Sequence, residues 1–223
     1  MKKKIVREAV QAMRYTSWIL LAALLAGCQS ARQPFEVLGG NTAARAVKRM
    51  EDPNFPDERR EGILYLVDHE YGRRPPYTER YQQIAVSDSD YTVRAMAVRA
   101  LNISRDQGAT AVFIQCLSDT QPLVRMEAAK ALVNLPDSNA LPKLLRMVSN
   151  EEENKDVRIA AADALRHYKS LEVARTLVGV LQQREFGVAW QARKSLVQLT
   201  GEDLGYNDGA WLNYLTGPRK PFA

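Results

Sequence analysis

With 223 residues, 46% of them apolar, the chain is long enough for one ordinary domain with extensions and too apolar to be disordered throughout. Its 31 Lys+Arg against 26 Asp+Glu give a formal charge of +5, an excess that must be located along the chain before it bears on a nucleic-acid partner. Two cysteines cannot form a disulfide framework.

The first 17 residues, MKKKIVREAVQAMRYTS, carry Lys2, Lys3, Lys4, Arg7 and Arg14 against Glu8 alone, and the apolar run WILLAALLAG follows. A basic start, a short apolar stretch and small residues at its end are the layout of an export signal, and the run is far shorter than the ~20 residues a spanning helix needs. Leu25-Ala26-Gly27-Cys28 resembles the lipobox of bacterial lipoproteins. That resemblance implies a diacylglyceryl group on the Cys28 thiol, removal of residues 1–27 and a lipid-anchored protein in the bacterial envelope. Several acyl chains, each buried methylene contributing about 0.8 kcal/mol, make such attachment stable where one chain would not. Gln29 follows the cysteine in place of the aspartate that retains many such lipoproteins at the inner membrane, so the outer membrane, on its periplasmic side, is favoured if the source has two membranes.

Residues 1–27 hold five of the basic and one of the acidic residues, which leaves 26 against 25, a formal +1. The mature chain therefore lacks the charge excess expected of a nucleic-acid binder. Cys116, in AVFIQCLSD, sits at helical spacing from Val112 and Phe113 and reads as a small core residue rather than a nucleophile. Residues 28–56, with Gly39-Gly40 and scattered prolines, read as a tether and lead-in with one helix-like patch at Thr42 to Met50.

Beyond the tether the sequence repeats. VRAMAVRAL from Val93, VRMEAAKAL from Val124, VRIAAADAL from Val157 and VAWQARKSL from Val188 align, and ERREGILYL from Glu58 is a degenerate first copy with Gly62 in place of an alanine. Apolar residues at i, i+4, i+7 and i+8 predict one buried helical face. Second amphipathic segments lie between the copies, from Tyr77, Ala109, Ala140 and Glu172, and the polar stretches joining them place Asp90, Asp119 and Asp156 as helix caps. Helical pairs of this size bury their apolar faces only by stacking, so the expected fold is all-α: an α-solenoid of about five hairpins over 57–200, with a C-terminal cap over 201–223. In that cap Asp208 should start a last helix and Trp211 should cover the end of the stack. The D-x-x-VR-x-x-A-x-x-AL pattern is similar to HEAT-like repeats of the short type named after phycobilisome lyases.

Catalytic and metal-binding motifs are sparse. His69 and His167 are the only histidines; His69-Glu70 is similar to one of the several His-Glu pairs of HEAT-repeat deoxyhypusine hydroxylase, but it stands alone, so no metal and no cofactor are expected. No G-x-S-x-G, phosphate loop or Ser/His/Asp set occurs. Arg59, Arg94, Arg125 and Arg158, one per copy, suit an inter-repeat Asp/Arg ladder better than a binding stripe. HEAT-like resemblance implies that the second helices line a concave surface, where helical spacing exposes Arg80, Gln83, Gln115, Lys143, Arg146, Arg175 and Gln182. This mildly cationic, amide-rich strip suits an acidic or extended peptide. The sequence therefore reads as a lipid-anchored protein-interaction scaffold, not an enzyme; a lyase-like or hydroxylase-like enzyme and a purely structural envelope protein are the alternatives.

Overall fold

The computed structural model describes residues 42–218 and Phe222; residues 1–27, where the sequence predicts an export signal, and Cys28, Gln29 and Gly39-Gly40 lie outside the described residues. Residues from Ala44 onward form one compact unit. Its α-helices are α1 (Ala43–Met50), α2 (Pro56–Asp68), α3 (Tyr77–Ser87), α4 (Tyr91–Ser104), α5 (Thr110–Cys116), α6 (Pro122–Asn134), α7 (Leu141–Ser149), α8 (Lys155–Leu165), α9 (Leu171–Gly179), α10 (Phe186–Thr200) and α11 (Asp208–Thr216). Among the described residues there is no strand, and no helix is long and apolar enough to cross a membrane.

The repeated nonapeptides form the long helices α2, α4, α6, α8 and α10, which pack side by side in one row, each on the next. Alanines make this close approach feasible: Ala97, Ala100, Ala128, Ala131, Ala161 and Ala164 are all fully buried. The short helices α3, α5, α7 and α9 form the second row, and each packs against the long helix that follows it. The hairpins are thus short-then-long, α3–α4 through α9–α10, and the nonapeptide is the second helix of each. Tight turns join the two helices within a hairpin, whereas 3-10 turns at Gln107–Ala109 and Ser138–Ala140 carry the chain from one hairpin to the next. The helix-like patch in the lead-in is α1, and Gly62 explains the degenerate first copy. A Cβ there would lie 2.4 Å from the Met50 nitrogen and 2.6 Å from the Ala46 oxygen, so α1 reaches α2 only because that position has no side chain.

Helix starts follow local chemistry, with corrections to the expected caps. Asp90 accepts from the amides of Thr92 and Val93 at the start of α4. Asp119 lies two residues ahead of the Gln121 cap position of α6, which instead begins with Pro122 in the first turn. Asn154 caps α8, placing Asp156 inside its first turn, and Asn207 caps α11, placing Asp208 inside it. In both cases a neighbouring asparagine side chain reaches the free amide first. Trp211 is fully buried on α11, which packs on α9, and its Nε1 donates to the Gly205 carbonyl at 3.0 Å. Cys116 is buried, and burial pushes its thiol up to about 12.

Candidate functional site

The recurring arginines stitch the turns together along the stack. Arg94 Nε and Nη2 donate to both oxygens of Asp119 at 2.8 and 2.9 Å, while Nη1 donates to the Asp88 carbonyl at 2.9 Å. Arg59 binds Asp88 at 2.8 and 2.9 Å and the Asp52 carbonyl at 2.9 Å. Each guanidinium therefore joins the turn before its own helix to the turn one repeat later. The next two rungs use glutamate: Arg125 binds Glu153 at 2.9 and 2.6 Å, and Arg158, 1% exposed, donates to Glu185 at 2.6 Å and to the Val148 carbonyl. Burial raises the Asp119 carboxyl, but the Arg94 hydrogen bond, the Gln121 amide and the charges of Arg94 and Arg125 outweigh it and hold the group below its ordinary value. These arginines are consumed by the fold.

The sequence-derived strip falls on the short row and its turns, and its members are not equivalent. Arg80 on α3 donates to both oxygens of Glu51, at 2.7 and 2.5 Å, and to Gln83 Oε1 at 2.9 Å, so its charge is already matched. It borders a polar cleft of about 250 Å³ with Glu51, Arg59 and Asp88. Gln182, in the turn after α9, donates to the Tyr206 carbonyl at 2.6 Å and so ties down the C-terminal segment. Gln115 is exposed on α5 and Arg175 on α9.

Lys143 and Arg146 come together. They line a larger cleft of about 580 Å³ between α5 and α7, with Ser118, Met147, Asn150 and Glu153. Lys143 is half-buried because its Nζ donates to the Ile114 carbonyl at 2.8 Å, bridging α7 to α5. Arg146, in the last turn of α7, is exposed and has no ion-pair partner among the described residues. Helix α5 carries no charged residue and α7 carries Lys143 and Arg146 with no acid, so this part of the short row is locally cationic. Hydroxyl and amide groups of Ser118 and Asn150 stand beside the apolar Met147, a combination that can take a carboxylate-bearing peptide.

The histidines lie elsewhere. His69 Nδ1 donates to the Tyr65 carbonyl at 2.7 Å, and its ring stacks on Tyr71; Glu70 pairs with Arg74. His167 is exposed at the end of α8 beside Arg166. Among the described residues, no group of three or more His, Cys, Asp or Glu is arranged to hold a metal ion.

Known proteins place this architecture. Residues 78–153 match HEAT repeats. That stretch runs from α3 through α7 and contains the whole Lys143/Arg146 cleft. No curated protein matches the sequence. Among solved structures, the chain is similar to one from the complex of CpcE and CpcF of phycocyanin lyase from a Nostoc species, at 20% identity and a TM-score of 0.64, over 81% of this chain and 72% of that one. It is also similar to an engineered protein at 18% identity and a TM-score of 0.58, over 82% of this chain and 92% of the other. At such identities the likeness establishes the fold, an all-helical HEAT-type solenoid. It also corrects the expectation that the chain stands apart from the enzymes, because a chain of the same architecture is part of a lyase.

Proposed function

We propose that the chain is a HEAT-repeat subunit of lyase type that works by gripping a protein partner in the cleft between α5 and α7. The observation that carries the reading is the pairing of unmatched Arg146 with Lys143 in the 580 Å³ cleft. Its support is the likeness, over 81% of this chain, to a chain from a two-protein lyase complex. On this reading Arg146 and Arg175 meet carboxylates of an acidic, extended segment, and the solenoid holds the protein on which the chemistry acts. The lipobox resemblance adds placement: Cys28 carries the lipid, and the solenoid works at the envelope membrane, the outer one being favoured by Gln29.

Crosslinked capture from native membranes tests the partner. The double variant Arg146→Glu/Arg175→Glu should lose the captured protein while keeping its melting temperature; capture that persists places the site elsewhere. Lys143 is left intact because it holds α5 to α7. A lyase-type role predicts that the captured partner differs in intact mass by a covalent group between cells with and without this chain, and identical masses would oppose it. Cys28→Ser should release the protein from membranes after a carbonate wash; retention would end the lipobox reading.

A further inference from the structure

Among the described residues the long row is open at both ends, and the two ends are chemically complementary. Between α8 and α10 the packing shows which side chains face the next helix. Ile159 Cδ1 lies 3.0 Å from where a Cβ on Gly187 would be, and Asp163 accepts from Gln191 Nε2 at 2.8 Å. One repeat later, 31 residues on, Ile159 and Asp163 become Trp190 and Lys194. These two therefore occupy the flank of α10 where another long helix would pack, and among the described residues none does. Trp190 is 44% exposed, and the Lys194 ammonium sits 4.4 Å from its ring centroid. Phe186, one turn before Trp190, is 67% exposed.

The opposite flank is read in the same way. Gln191 faces the preceding helix, and its counterparts in earlier copies, Ala160 and Glu127, are buried there. In α2 the counterpart is Glu61, which has no preceding long helix among the described residues and keeps 60% of its side chain exposed. Asp57, in the place of Gly187, is 82% exposed. Both carboxylates have local arginine partners, Arg49 and Arg60, yet this flank remains acidic with Glu58 beside them.

We propose that a second copy of this chain docks head to tail, the Asp57/Glu61 flank of its α2 against the Trp190/Lys194 flank of α10. The geometry repeats the Asp163–Gln191 contact with an ion pair, Lys194 to Glu61, and adds the tryptophan as a buried anchor. The contact is heterologous, so it builds rings or open chains rather than a closed two-fold dimer. Helix α11 packs on α9 in the short row, so the proposed contact is one of long helix on long helix and does not continue the short row. This surface lies in the other row from the Lys143/Arg146 cleft, and failure of either reading leaves the other standing.

Sedimentation velocity of the full-length protein in mild detergent, over a wide concentration range, tests this. The protein should self-associate, and Trp190→Ala should weaken association by about thirtyfold, the effect of truncating a hot-spot tryptophan. Lys194→Glu and Glu61→Lys chains should each stay monomeric with unchanged melting temperatures, and a mixture of the two should associate again, the two variants alternating at equal stoichiometry in rings or open chains. A protein that is monomeric at every concentration, or association that survives both Trp190→Ala and Lys194→Glu, overturns the proposal, as does a mixture that fails to associate.

Discussion

Removing the Arg94 guanidinium, by Arg94→Ala, tests whether the ladder holds neighbouring repeats together. The side chain is 13% exposed and Asp119 12%, so water replaces little of what is lost. Four hydrogen bonds go: two to the Asp119 carboxylate, one to the Asp88 carbonyl and a longer one, 3.2 Å, to the Ser89 carbonyl. Hydrogen bonds to charged groups contribute about 1.5–3 kcal/mol, and breaking a buried pair from one side costs about 3–5 kcal/mol. Because a strip of each group still meets solvent, we expect about 3 kcal/mol, the low end of that range. At roughly 2–4 °C per kcal/mol for a domain of this size, the melting temperature falls by about 6–12 °C. Thermal unfolding followed by circular dichroism measures it, with Asp119→Asn and the double variant completing a cycle that isolates the pair. The exposed Arg146→Ala is the control. If Arg94→Ala melts within 2 °C of the parent, or the cycle shows no coupling, the ladder does not stabilise the stack and the reasoning fails.

Three other outcomes are expected. The Asp119 carboxyl is held below its ordinary value in the folded protein, so its contribution is complete above the unfolded value of 3.8 and is lost as pH falls through the lower folded value. The stability gap between parent and Asp119→Asn should therefore hold at neutral pH and close only in strong acid; a gap that closes near pH 6 would contradict this. Gly62→Ala should displace α1, since its Cβ meets backbone at 2.4 Å, at a cost of about 1–3 kcal/mol and with faster hydrogen exchange confined to α1; unchanged α1 exchange would refute the close approach. Cys116, buried and with its thiol pushed up to about 12, should resist iodoacetamide at pH 8 in the folded protein and react fully in urea. Rapid labelling of the folded protein would count against that burial.

The repeat itself was legible because its residues face each other. Val93, Ala97, Ala100 and Leu101 carry the period and are all fully buried, and an arginine fixed one place after the valine announces the ladder. Legibility ends where partners are distant or interchangeable. Nothing in the sequence links Arg80 to Glu51, 29 residues away, and that pairing removes Arg80 from the free cations of the strip. Glu153 and Glu185 take rungs that aspartates fill earlier, because a longer side chain reaches the same guanidinium from a different turn. Asn154 and Asn207 take caps expected of Asp156 and Asp208, since any short acceptor one or two places ahead of the helix serves as well. The short-then-long pairing was invisible to periodicity, which gives a helix its buried face but not the neighbour that covers it. Trp190 did leave a trace: it stands where earlier copies carry Ala95, Met126 and Ile159, the odd large aromatic in a column of packing residues.

The central claim, that the α5–α7 cleft grips a protein, is tested most directly by a photo-activated crosslinker placed at position 146 and, for comparison, at position 99, where the exposed Arg99 of α4 lies in the other row. Irradiated native membranes should give one discrete adduct from position 146 and none of that size from position 99. The same adduct from both positions, or from position 99 alone, would contradict the account.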